Sequence, residues 1–303
     1  MSIIITGASG FVGQNLKRYL QEKGKTVYPL SLRDSKWMNE LPKEADALIH
    51  LAGKAHDTSN TSQEVEYFQV NRDLTIAIFE EFLKSEIRDF FYFSSVKAVA
   101  DTTDGILVED VNAKPFTPYG KSKLEAEQYI LNKELPAGKR VFIIRPCMIH
   151  GPGNKGNLNL LYKIVEKGMP WPLASFENQR SFLSIDNLSF MVNSILDKRE
   201  IASGVYNFAD DVPLSTNELI ELIASVLKKK VKLWKVSKGL ISTIVKVGDV
   251  LPLPLNSDRL KKLTESYVVS NAKIKHELGI QHLPISTQAG LKITIESFKQ
   301  ANS

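Results

Sequence analysis

The sequence predicts an α/β fold: a parallel sheet with helices on both faces, joined to a smaller, interleaved carboxy-terminal lobe. Three observations predict it. Short apolar runs alternate with helix-spaced segments through residues 1–150. The first run is followed at once by a glycine-rich turn. After residue 150 the rhythm changes to loops, helices and prolines. Residues 1–155, with about 181–208 returning to them, form the larger unit. Residues 156–180 and 209–303 form the smaller lobe.

Residues 2–6, SIIIT, are β-branched and read as the first strand. QNLKRYLQEKG spaces its apolar residues as a helix ending at Gly24. KTVYPL and DALIHLAG (46–53) are the second and third strands. A helix over 62–84 carries Val65, Phe68, Asn71, Thr75 and Phe79. DFFYFSS (89–95) is a fourth strand, 118–132 a helix and RVFIIRP (140–146) a fifth strand. Beyond it, LNLLYKIVEKG and DNLSFMVNSILD read as helices and GVYNFAD as a short strand. STNELIELIASVLKK starts with a capping-box pattern, Ser215 followed by Glu218. Residues 233–265 are apolar, contain prolines and fit no single period, and SNAKIKHELG is a short helix.

The composition narrows the function. With 43% hydrophobic residues over 303, the chain buries a large core. No apolar run reaches the roughly 18 residues of a spanning helix, and no leader is read at the amino terminus, so no membrane partner is expected. The single cysteine, Cys147, excludes an internal disulfide, reads as a small core residue and suits a cytoplasmic location. A net charge of +5 with no dense basic stripe argues against nucleic acid. KKKVK at 228–232 reads as a solvated face closing a helix. The five histidines form no ligand-like cluster, so no metal is expected; His50 and His56 read as structural or polar cleft residues.

TGASGFVG places Gly7, Gly10 and Gly13 between a strand and a helix. Gly7 permits the tight turn, Gly10 lets the backbone approach a pyrophosphate, and Gly13 seats the helix close to the sheet. The loop, with Ser9, Phe11 and Val12, meets phosphate at the positive end of the helix. This is a Rossmann-type dinucleotide site. No acid closes the second strand; Arg33 and Asp34 follow it, the first suited to a 2′-phosphate and the second to a ribose. The cofactor is therefore read as NAD or NADP.

Tyr119 and Lys123 stand one helical turn apart in TPYGKSKLEAE. An ammonium beside a phenol favours phenolate and lets the pair exchange a proton with an alcohol. Taken alone, the same spacing equally describes an ordinary solvent-facing helix.

The order TGASGFVG, ALIHLAG, VNRDLT, FSSVKAVA, PYGKSKLEAE, IIRPCMIHGPG, NQRSFLSIDNL and YNFADDVPLSTNELI resembles the extended short-chain dehydrogenases/reductases, in their NAD-dependent epimerase/dehydratase branch. The resemblance covers nearly the whole chain. It implies that Tyr119 is the catalytic acid/base, with Lys123 its partner and Ser95 the hydroxyl that binds the reacting oxygen. It implies cofactor contacts from Leu51, Ala52, Gly53, Asn71 and Pro146, and a bracing role for Asn71. Ala98, Val99 and Ala100 replace the usual Val, Tyr and Gly, which alters the surrounding substrate contacts.

By the same resemblance the substrate is a nucleotide-linked sugar, with Lys54, Ser95, Val96, Lys97, Asn157 and Arg180 facing it and the smaller lobe binding it. Dehydratases of the branch carry an Asp-Glu pair where this chain has Val96 and Lys97, so dehydration is not expected. A sugar 4-epimerase and a 4-keto-sugar reductase of surface-polysaccharide precursor synthesis both fit; SSVKAV is similar to the reductases. A catalytically inactive regulatory protein of the same fold is the alternative from another class. The helices at 62–84 and 118–132 resemble the pair that joins family homodimers.

Overall fold

The computed structural model describes residues 1–34, 36–54, 63–154, 157–250 and 256–301. His56 lies outside them. The first half runs β1 (Ser2–Thr6), α1 (Phe11–Glu22), β2 (Thr26–Leu30), α2 (Trp37–Glu40), β3 (Ala47–His50), α3 (Glu64–Phe68), a π-helical turn (Gln69–Asp73), α4 (Leu74–Lys84) and β4 (Asp89–Phe93). A 3-10 turn (Val96–Ala98), β5 (Ile106–Leu107), α5 (Pro118–Leu131), β6 (Arg140–Pro146) and β7 (Met148–His150) follow. The remainder is α6 (Asn157–Glu166), β8 (Phe182–Ser184), α7 (Ile185–Asp197), β9 (Gly204–Phe208), α8 (Thr216–Leu227), α9 (Lys238–Val250), α10 (Ser257–Thr264), β10 (Val268–Val269), α11 (Ala272–Leu278) and α12 (Thr287–Ala301).

Six parallel strands form the main sheet in the order β2-β1-β3-β4-β6-β9. The strand order reverses between β1 and β3. In an open parallel sheet a crevice forms at such a switch point, outside the carboxyl ends of the strands. Alternation along each strand explains why both faces are covered. Ile3 and Ile5 face one way, packing with Leu16 and Leu20 of α1 and with Leu188 and Val192 of α7. Ile4 faces the other, with Phe79 and Phe82 of α4 and Ala126 and Ile130 of α5. The central strand β4 is buried at every residue, which is why DFFYF shows no polar alternation.

A separate core gathers Leu158, Leu161, Trp171, Leu219, Ile220, Ile241, Leu291 and Ile295. It joins α6, α8, α9 and α12, while Tyr267, Ile274 and Leu278 pack instead into the sheet's own core. The capping box at α8 is present in full: the Ser215 hydroxyl accepts from the Glu218 amide, and the Glu218 carboxylate accepts from the Ser215 amide. Among the described residues, the stretch 233–265 holds two helices, α9 and α10. The closing helix α12 is an element beyond those read above.

One helix departs from expectation. The segment read as continuous over 62–84 contains the π turn at Gln69–Asp73. Its widened turn points the carbonyl of Asn71 at two hydroxyls, accepting from Thr75 at 2.9 Å and Tyr92 at 3.4 Å. Turns of this kind are rare and concentrate at functional sites.

Candidate active site

The glycine loop between β1 and α1 is built as its spacing requires. Gly7 has φ +68°, and a side chain there would sit 2.7 Å from the Ala52 nitrogen. A side chain on Gly13 would stand 2.4 Å from the Gly7 carbonyl. Both positions therefore admit only glycine. The result is a groove of about 750 Å³, lined by Gly7, Ser9, Gly10, Arg33, Leu51, Ala52 and Gly53, among others. Phe11 and Val12 turn their side chains into the core, which leaves their backbone at the start of α1 for any ligand. Pro146 closes β6, and Asp34 lies outside the groove lining, its carboxylate accepting from the Lys36 amide.

Beneath the groove is a buried polar frame. His50 is held by Thr6 Oγ1 at 2.8 Å and Thr75 Oγ1 at 3.0 Å. Burial, with Lys123 nearby, pushes its pKa down to about 3, so the ring is neutral and structural. Asn71 Oδ1 accepts from the Lys54 amide at 2.8 Å, and Nδ2 donates to the Lys54 carbonyl and to Ser122 Oγ. One side chain thus ties the loop after β3 to α5. Lys54 itself pairs with Glu66.

Helix α5 begins at Thr117, whose hydroxyl accepts from the Gly120 amide, with Pro118 in the first turn. Tyr119 rises from this turn beside the Ser95 hydroxyl, and the Tyr67 ring meets it edge-on at 6.1 Å. Ser95 comes from the end of β4 and caps the 3-10 turn, accepting from the Lys97 amide at 3.2 Å. The neighbouring Ser94 hydroxyl is buried without a partner among the described residues. Lys123 reaches back under the sheet, donating to the Phe93 carbonyl at 2.9 Å with its ammonium 4.9 Å from the Tyr92 ring centre. Burial lowers its pKa to about 8, opposed by Glu127.

One electrostatic expectation is corrected. The spacing of Tyr119 and Lys123 implies a phenol shifted toward phenolate. In the structure burial raises the Tyr119 pKa, the Ser95 hydroxyl opposes it, and Lys123 is not among the causes. The lysine side chain is committed to the Phe93 carbonyl, so the phenol is held protonated.

Across the cleft, Lys97 donates to the Asp101 carbonyl at 2.6 Å and lies 4.1 Å from the Tyr267 ring centre. Burial lowers its pKa to about 8; Asp101 opposes this and Arg180 adds to it. Arg180 pairs through its backbone with Leu214 and Tyr267, and its guanidinium donates to the Lys262 carbonyl. These cations make one positive wall. Asn157 starts α6, and its side chain lies outside the described residues. Among the described residues no group of three or more acidic, histidine or cysteine side chains is arranged for a metal.

Asp101 escapes sequence reading because nothing in its local pattern marks it. Its carboxylate accepts from the amides of Phe116 (2.6 Å) and Thr117 (3.3 Å) and from the Thr117 hydroxyl (3.0 Å). It therefore locks the start of α5 against the turn that carries Ser95. Asp101→Ala is expected to cut kcat about tenfold to a hundredfold by misplacing Tyr119. Cofactor affinity should stay unchanged. Steady-state kinetics beside a cofactor titration checks the split.

The comparisons with known proteins agree with this architecture. Residues 3–209 match the model of the NAD dependent epimerase/dehydratase family. The chain belongs to that family. Across its whole length it is 30% identical to a UDP-glucose 4-epimerase of Vibrio cholerae, covering 97% of that protein. It is 31% identical over 52% of its length to a UDP-2-acetamido-2,6-beta-L-arabino-hexul-4-ose reductase of Pseudomonas aeruginosa, covering 38% of that protein. Its fold is similar to that of RMD from Pseudomonas aeruginosa complexed with NADPH, at TM-score 0.77 and 21% identity over 99% of both chains.

Proposed function

We propose that this family member uses NAD(P) to oxidise or reduce C4 of a nucleotide-linked, UDP-type hexose. The observation that carries the reading is the meeting of Ser95, at the end of β4, with Tyr119 in the first turn of α5 and Lys123 buried one turn below it. The glycine cradle and the unpartnered Ser94 hydroxyl fit a nicotinamide dinucleotide, held by the backbone of residues 7–13 and by Leu51–Gly53. Bound there, the cofactor supplies the hydride chemistry. The chain supplies the proton chemistry. Ser95 donates to the reacting sugar oxygen and orients it, and Tyr119 gives that oxygen a proton or takes one from it. Lys123 holds the ribose next to Tyr119. Lys97 and Arg180 offer charge to the substrate's diphosphate, Arg180 as a planar fork. The V. cholerae and P. aeruginosa relatives, named for chemistry at C4 of nucleotide sugars, support the substrate class.

One observation favours the reductase over the epimerase. Arg33, not Asp34, lines the groove, which favours the 2′-phosphate of NADPH. A homodimer through α3–α5 and a cytoplasmic location belong to the same reading; Val65 and Leu131, exposed on those helices, support the pairing.

Identifying the nucleotide in purified protein tests the whole reading. Retained NAD, with C4 epimers formed from UDP-sugars, marks an epimerase. Consumption of NADPH with a UDP-4-keto sugar marks a reductase. Failure to bind any nicotinamide refutes both. Arg33→Ser is expected to weaken NADPH about tenfold to a hundredfold, the worth of a charge-assisted hydrogen bond. NADH should be unaffected. Fluorescence titration of both cofactors measures it, and equal losses for the two would show that Arg33 reads no phosphate.

A further inference from the structure

The chain's positive charge is not spread over its surface. Residues 228–250 hold seven lysines and one aspartate, a local excess of six. The whole chain has an excess of five, so everything outside this segment carries one more acid than base. All seven lysines (228, 229, 230, 232, 235, 238 and 246) are exposed. Among the described residues none of them lies within ion-pair distance of a carboxylate.

The same segment exposes apolar side chains. Residues 232–235 pair with 171–174 at the edge of the smaller core, Leu233 packing inward and Trp234 facing out at 52% exposure. In α9, Ile241 and Val245 are buried in that core. Leu240 and Ile244, the residues immediately before them, stay 54% and 43% exposed. Among the described side chains of α9, the apolar stripe is therefore wider than the core it covers, and Leu240 and Ile244 face solvent beside Lys238 and Lys246.

We propose that this face, from Lys228 to Lys246, docks the protein on an anionic lipid bilayer. Charge complementarity selects the occupant. A helix with an over-wide apolar stripe, a flanking tryptophan and a lysine-rich surround lies in the plane of a membrane interface. Each lysine near an anionic leaflet adds attraction, and together they compensate for the small apolar area. A neutral protein groove would gain nothing from six excess charges. No described helix is long and apolar enough to cross a membrane, so the association is peripheral. The expectation of no membrane partner, which rests on the lack of a spanning run, does not address this mode. The proposal is independent of the catalytic reading.

The test uses the full chain with vesicles of phosphatidylglycerol and of phosphatidylcholine. Two of the three tryptophans, Trp37 and Trp171, are buried, so an emission change on vesicles reports Trp234. The expected result is co-sedimentation with phosphatidylglycerol, a blue shift of emission lost in Trp234→Phe, release by high salt and no pelleting with phosphatidylcholine. Combining Lys230→Glu, Lys232→Glu and Lys235→Glu should lower partitioning about a hundredfold. Combining Leu240→Ser and Ile244→Ser should lower it about tenfold. All five positions are exposed, and an unchanged melting temperature confirms folding. No pelleting on phosphatidylglycerol, or equal pelleting of the charge-reversed protein, overturns the proposal. It is also overturned if Leu240→Ser with Ile244→Ser dissociates a dimer in gel filtration while leaving vesicle binding intact, since a second copy then covers the face.

Discussion

Tyr119→Phe should lower kcat/KM about a thousandfold while leaving cofactor affinity within about twofold. The substitution removes one oxygen and keeps the ring, so the edge-on contact with Tyr67 and the packing of the first turn of α5 survive. What is lost is the hydroxyl that stands beside Ser95. Ser95→Ala should cost less, about a hundredfold, because it orients the reacting oxygen but carries no proton to it. Isothermal binding of the cofactor and initial rates on the C4 substrate separate the two losses. A Tyr119→Phe protein that retained full turnover would remove Tyr119 from the chemistry and sink the proposed mechanism with it.

The second large effect concerns stability. Arg145 of β6 and Glu127 of α5 form a buried pair, with Nη2 2.5 Å from Oε2 and Nε 3.0 Å from Oε1. Their side chains are 7% and 1% exposed. The remaining Nη1 donates to the Glu109 carbonyl at 3.2 Å. Glu127→Ala strands a buried guanidinium and should destabilise the fold by about 3–5 kcal/mol. Urea unfolding measures it. Replacing both partners, Glu127→Leu with Arg145→Met, should recover most of the loss, because neither charge is then left buried alone. No recovery would mean that the pair is needed for more than mutual neutralisation. Glu127 also opposes the lowered pKa of Lys123. Milder loss of the acid, in Glu127→Gln, should therefore move the alkaline limb of the activity profile to lower pH.

The fold was legible where burial is uniform. β1, β4 and β6 are almost wholly enclosed, so their composition alone marks them. The glycine cradle was legible because steric exclusion at Gly7 and Gly13 admits one residue type. The start of α8 was legible because both halves of its cap lie within four residues. Other features escaped for physical reasons. The π turn adds a residue without changing composition. The described residues of 233–265 hold an edge pairing at 233–235 and two separate helices, α9 and α10, so no single period runs through them, and α12 interleaves threonines with Leu291, Ile295 and Phe298. Sequence proximity set Lys123 beside Tyr119, but the lysine's reach carried its ammonium to the Phe93 carbonyl instead. Lys97 and Arg180 were each named as substrate-facing, yet only the tertiary fold brings their charges within mutual influence.

The π turn at Gln69–Asp73 separates two tasks that a regular helix would couple. In an unbroken helix, every change of angle at one end propagates to the other. Here the extra residue resets the phase between Glu64–Phe68, which carries Tyr67 to Tyr119, and Leu74–Lys84, which anchors Phe79 and Phe82 in the core. The turn acts as a joint between the arm that carries Tyr67 and a fixed mount. The angle of the arm is thereby set apart from the mount and from the sheet that the mount seals.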